Sequence, residues 1–154
     1  MAQVFKPLKA IYVPATGGHP ENTEYRVAWG VEQWEKEKKY VTKVQIAYNG
    51  VIAGMLSPSF PDETIDLKAV SCALSLLKEI EDNTYRYMLL IKDLRTLTSS
   101  KPEDLENEID KNVTKIYAAK KKPVSILTSV LLISTKKIDN HLYGFLFRVK
   151  IYTA

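Results

Sequence analysis

The sequence predicts a mixed α+β (α/β) domain: a mixed, mostly antiparallel sheet with two crossover helices, in the order β-β-β-β-α-β-α-β-β. Three observations predict it. Apolar and polar residues alternate with period two near both ends of the chain, as at Tyr25, Val27, Trp29 and Val31 and again from 143 to 151. Two stretches, 65–80 and 105–116, instead repeat apolar residues at spacings of three and four. Residues 87–91 and 124–134 form runs apolar on both faces, which suits buried strands.

The elements follow in order. Leu8, Ala10 and Tyr12 alternate with Lys9, Ile11 and Val13 in a first strand that Pro14 closes. Residues 15–22 hold two glycines, a proline and an asparagine, the chemistry of a turn. The strand through Tyr25 and Val31 has one apolar and one largely polar face, as on a sheet with one wet side. Glu35 to Lys39 make a charged turn, with a short helix through Trp34 as the alternative. Val44, Ile46 and Tyr48 form the third strand. Asn49-Gly50 then marks a hairpin, since both residues tolerate positive φ, and 51–56 is its returning arm.

Ser57 to Pro61 break the sheet, and Asp62 or Thr64 caps the helix that follows. Ile65, Ala69, Cys72 (or Ala73), Leu76 and Ile80 are its buried stripe, and Asp62, Glu63 and Asp66 suit its positive end. Ser100-Lys101-Pro102-Glu103 is a capping box for the second helix, whose stripe is Leu105, Ile109, Val113 and Ile116. Pro123 marks its end. Asp139-Asn140 turns the chain into a final strand, with Tyr143, Phe145, Phe147, Val149 and Ile151 on one face and Arg148 and Lys150 on the other. No repeat or linker divides the chain, so residues 1–154 read as a single domain.

Composition narrows the function. Of 154 residues, 45% are hydrophobic and 26% charged, which is too apolar for a disordered chain. One cysteine excludes an internal disulfide framework and suits a reducing compartment. There is no apolar targeting segment, and no run approaches the roughly 18 apolar residues of a membrane span. The expectation is a cytoplasmic protein with no membrane partner.

Few residues carry chemistry. His19, His141 and Cys72 stand apart, so no metal-ligand spacing exists, and Cys72 belongs to an apolar stripe. Residues 54–58 lack the second glycine of a nucleophile elbow. Thr16-Gly17-Gly18-His19 opens no helix and has no phosphate-binding lysine, which leaves it as a turn. Nothing calls for a cofactor. Lys92-Asp93-Leu94-Arg95 stands out, because it ends a strand apolar on both faces, where open sheets with crossovers place ligands. Asp93 there is the candidate metal ligand, or it positions a phosphate. The plainer reading is a solvated strand end with a local ion pair.

The formal charge is +4, with a pI near 9.0. The C-terminal third is the basic part, with Lys120, Lys121, Lys122, Lys136, Lys137, Arg148 and Lys150, while carboxylates gather at 79–82 and 103–110. Such lysines either solvate turns and helix ends or form a nucleic-acid footprint with Lys92 and Arg95.

Three stretches carry a resemblance: 49–54 before the first crossover helix, 89–95 as a strand ending in a basic residue and Asp, and 130–143 as a later strand with a basic turn. Together with the order of elements, they resemble RNase H-like domains, and among these the PIWI module of Argonaute-type proteins. The likeness spans most of 43–147. It implies a nuclease fold whose second-strand Asp corresponds to Asp93, with Asp66 a looser match to a helix acid. The first strand, at 11–15, has no carboxylate, and the chain closes on a strand where the family has a helix. Two-metal hydrolysis needs several converging carboxylates, so the resemblance implies binding without cleavage.

The leading expectation is therefore a non-catalytic nucleic-acid-binding domain or a component of a nucleic-acid-processing assembly. The alternative is a small protein-interaction or regulatory protein that docks on a partner or homodimerises. Its candidate anchors are Tyr12, Tyr25, Trp29, Trp34 and Tyr152, with the terminal strand as a free edge. A Mg²⁺-dependent nuclease using Asp93 and Asp66 is the third.

Overall fold

The computed structural model describes residues 4–81, 85–96, 102–118 and 126–153. Among these residues seven strands and two helices follow one another in the expected order: β1 (Phe5–Pro14), β2 (Thr23–Gln33), β3 (Lys38–Tyr48), β4 (Val51–Ile52), α1 (Asp66–Leu76), β5 (Arg86–Asp93), α2 (Pro102–Ala118), β6 (Ile126–Lys137) and β7 (Leu142–Thr153). They build one mixed sheet in the spatial order β4-β3-β2-β1-β5-β7-β6. Among the described residues only β1 and β5 pair in parallel; every other neighbouring pair is antiparallel.

The alternation read from the sequence decides which face each residue serves. Tyr25 and Val27 of β2, Ile11 and Val13 of β1, and Tyr87 and Leu89 of β5 pack under α1, through Ala69, Val70, Cys72, Ala73 and Leu76. On the opposite face, Met88 and Leu90 of β5 and Phe147 and Val149 of β7 pack under Leu105, Ile109 and Val113 of α2. Strand β5 is thus apolar on both sides because a helix covers each of them. The hairpin at Asn49-Gly50 forms as expected, with φ of 51° and 80°.

Four expectations need correction. The returning arm after Gly50 pairs over Val51 and Ile52 alone, because the chain then leaves the sheet to reach α1. Helix α1 starts at Asp66 behind Ile65, which makes no side-chain cap: Thr64, one residue earlier, donates its hydroxyl to the Pro61 carbonyl at 2.7 Å and accepts from the Asp66 backbone N–H only at 3.4 Å. Its stripe passes Leu76 into a 3₁₀ turn over Leu77–Glu79 before Ile80 is buried. The described part of the run at 124–134, from Ile126 onward, is not a buried strand. After α2 the chain passes to the outer position, and the β6–β7 hairpin returns β7 into the gap beside β5. The terminal strand is consequently interior and β6 is the edge, the reverse of the sequence expectation. Ser100, Lys101, Pro123 and Asp82, parts of the expected cap, helix end and acidic cluster, lie outside the described residues.

Among the described residues no helix is long and apolar enough to cross a membrane.

Candidate functional site

Strands β1 and β5 pair only through Ile11 with Tyr87 and Tyr12 with Met88. Beyond that point they part, leaving a crevice of about 280 Å³ whose polar lining includes Thr16, Lys92, Glu108 and Asn112. This is the position at which open sheets bind ligands. Its charges are already matched, since Lys92 Nζ lies 2.6 Å from Glu108 Oε2 on α2. Next along the chain, Asp93 is held by Arg95: the Arg95 backbone N–H donates to Asp93 Oδ1 at 2.9 Å, and Nη2 donates to Oδ2 at 2.7 Å. These bonds pull the Asp93 carboxyl from its ordinary 3.8 down to about 2. The local ion pair is therefore what this strand end contains.

Asp66 turns inward. It is fully buried, and its Oδ1 accepts from the Thr16 backbone N–H at 3.0 Å and from Thr16 Oγ1 at 2.6 Å. The Tyr25 hydroxyl lies 2.7 Å from Asp66 Oδ2 and 2.9 Å from the Ser59 carbonyl. Burial, first, and then the hydrogen bond and charge of Asp66 push the Tyr25 hydroxyl well above the ordinary tyrosine range. This carboxylate ties the turn after β1 to the start of α1 and to β2. Among the described residues no group of three or more His, Cys, Asp or Glu gathers to hold a metal ion.

The predicted cations divide between the two faces of the sheet. Lys92 and Lys137 are both register partners of Tyr143, and so share the α2 face. Lys136, opposite Gly144, faces the other way and donates to Ser75 Oγ of α1 at 2.5 Å. Arg148 and Lys150 lie on that same α1 face, opposite Leu131 and Ser129. The Arg148 guanidinium sits 4.4 Å from the Tyr85 ring centroid. Lys120, Lys121 and Lys122 lie outside the described residues.

The aromatic candidates are mostly engaged. Tyr25 is buried, Tyr12 lies under the Arg86 guanidinium at 3.8 Å, and Trp29 is flanked by Tyr40 at 5.0 Å and Lys9 Nζ at 5.3 Å. Trp34, at the β2–β3 turn, has Lys39 Nζ 4.8 Å from its ring. The Tyr152 side chain lies outside the description.

Among the described residues two sheet edges are open, that of β3 from Lys38 to Gln45 and the outer edge of β6. Leu131, Leu132 and Ile133 are 49%, 37% and 40% exposed, three consecutive apolar residues on a strand of 12 with no neighbour on its far side among the described residues. A β-bulge falls between Leu132 and Ser134, so the alternation of faces reverses across Ile133. Val130 and Leu132 face α2 before the bulge, Thr135 and Lys137 after it. Beside this edge, a groove of about 620 Å³ separates β6 from α1, between Leu67 and Cys72 on the helix and Lys136 and Ile138 on the strand side. Burial raises the Cys72 thiol above its ordinary range, in keeping with an inert core position.

No protein-family model matches the chain, and neither the curated proteins nor the solved structures show a significant similarity to it.

Proposed function

We propose that this chain is a non-catalytic interaction domain that works by accepting a strand of another polypeptide on the outer edge of β6. The observation that carries this reading is the exposure of Leu131, Leu132 and Ile133 on a strand that has no outer neighbour among the described residues. An edge strand offers a row of backbone donors and acceptors, and natural sheets usually cover or blunt such an edge. Strand addition takes affinity from those backbone groups and specificity from the alternating side chains. The absence of catalysis is supported by the engagement of both candidate acids, Asp93 by Arg95 and Asp66 by Thr16 and Tyr25.

A photo-crosslinking residue at position 133 tests the reading, with position 35 at the β2–β3 turn as control. Adducts from position 133, mapping to an extended segment of the captured polypeptide, are expected. Equal adduct yields at the two positions overturn it.

A polyanion ligand has one observation in its favour. Lys136, Arg148 and Lys150 share the α1 face of β6 and β7. Three such contacts on duplex DNA give a slope of log affinity against log salt of about −2.7. Anisotropy with a labelled duplex checks this, and no binding at low salt removes it. The order β3-β2-β1-β5, with β5 parallel to β1 and Asp93 at the end of β5, supports the RNase H-like and PIWI-like resemblance. The antiparallel β7 between β5 and β6 is the feature this resemblance leaves unaccounted for.

A further inference from the structure

We infer that the polypeptide accepted by β6 is a second copy of this chain, paired antiparallel about the bulge at Ile133; this rests on the strand-acceptor reading above. The inference comes from the side-chain faces. Directly opposed residues in an antiparallel pair share a face of the sheet. Without a bulge, every second residue of β6 would keep one face along its whole length. The bulge reverses this, so residues that face α2 are even-numbered before it and odd-numbered after it. A two-fold register that sets Lys137 opposite the partner's Thr128 also sets Thr135 opposite Val130, Lys136 opposite Ser129 and Ser134 opposite Leu131. Each of these pairs has both members on one face. Shifting the partner by one residue puts like faces on opposite sides throughout. The bulge, which ordinarily blunts an edge, here excludes the registers displaced by one residue, and charge chooses among those that remain.

Charge points to the same arrangement. Thr128 Oγ1 donates to Asp110 of α2, which places a carboxylate beside Thr128 on the α2 face. The partner's Lys137, exposed and on that face, arrives at this carboxylate, and the two-fold axis makes the match twice. On the α1 side Lys136 meets Ser129, with Lys150 one strand further in, so the attraction belongs to the α2 side alone. The exposed Leu131, Leu132 and Ile133 of both copies come together at the axis.

Light scattering on the purified chain should give twice the chain mass of 17.5 kDa. Thr128→Cys with Lys137→Cys should form intermolecular disulfides under mild oxidation, because opposed Cα atoms lie about 4.5–5.5 Å apart. Thr128→Cys with Lys136→Cys, displaced by one residue, should cross-link at least tenfold more slowly. Lys137→Glu should lower the dimer fraction, and Lys137→Glu with Asp110→Lys should restore it. A chain mass of 17.5 kDa at every concentration, together with position-133 adducts to another polypeptide, overturns the second copy and leaves the strand-acceptor reading standing. A single-chain mass with no adducts overturns both. A dimer that cross-links equally through both cysteine pairs overturns the register.

Discussion

Replacing Arg86 with methionine tests how much of the fold rests on one buried ion pair. Glu24 is 1% exposed, and Arg86 Nη2 reaches its two carboxylate oxygens at 2.5 and 2.6 Å. The same guanidinium covers the Tyr12 ring, and its Nε is buried with no hydrogen-bond partner among the described residues. Arg86→Met leaves the Glu24 carboxylate buried and uncompensated, at a cost of about 3–5 kcal/mol. For a chain of this size, that lowers Tm by about 6–20 °C. Urea unfolding followed by circular dichroism gives the change in midpoint at constant slope. The double variant Glu24→Met, Arg86→Met removes both charges and should recover most of the loss, because a well-packed apolar pair replaces a buried pair at little or no cost. A single variant that loses less than about 1 kcal/mol, as an exposed pair does, refutes the reasoning. So does a double variant as unstable as the sum of the two singles.

Other outcomes follow from the packing around two glycines and one ion pair. A Cβ at Gly144 would stand 2.9 Å from Cys72 Sγ, so Gly144→Ala should cost about 1–3 kcal/mol in urea unfolding and Cys72→Ala should return part of it. A Cβ at Gly30 would lie 2.1 Å from the Lys6 carbonyl oxygen at the β1 bulge; backbone cannot yield as a side chain does, so Gly30→Ala should be the more damaging change in the same assay. The Asp93 carboxyl should titrate near 2 by NMR and move back toward 3.8 in Arg95→Ala. A carboxyl held lower in the folded chain than in the unfolded one adds stability above its unfolded pKa. That contribution fades as pH falls from about 3.8 toward 2, and an Asp93 titration unchanged in Arg95→Ala contradicts the assignment.

The sequence made local structure legible wherever one residue's neighbours decide it. The alternation through Tyr25 and Val27, the two-sided apolar run of β5 and the Asn49-Gly50 turn all formed as their chemistry dictates. The place of a strand within the sheet is a different kind of information. Residues 130–133 have the composition of a buried strand, yet β6 lies at the edge because β7 threads between it and β5. Nothing in residues 124–134 encodes that threading. The same limit applies to the polar interior. Asp66 meets Thr16 across 50 positions and Arg86 meets Glu24 across 62, so these contacts depend on which strands become neighbours. One signal was present for the second pair: Glu24, second in its strand, falls by alternation on the less apolar face, and β5 begins with Arg86; the two meet across β1, which lies between their strands. At the strand end, Lys92, Asp93 and Arg95 are close in sequence, but only the fold shows that their ion pairs draw on Glu108 and on one another.

Amide hydrogen exchange along β6, measured over a thousandfold range of protein concentration, addresses the open edge most directly. Protection that rises with concentration at residues 128–137, while the amides of β5 stay constant, is the result expected of a strand that gains a partner. Exchange in that segment that does not respond to concentration or to any bound polypeptide contradicts it.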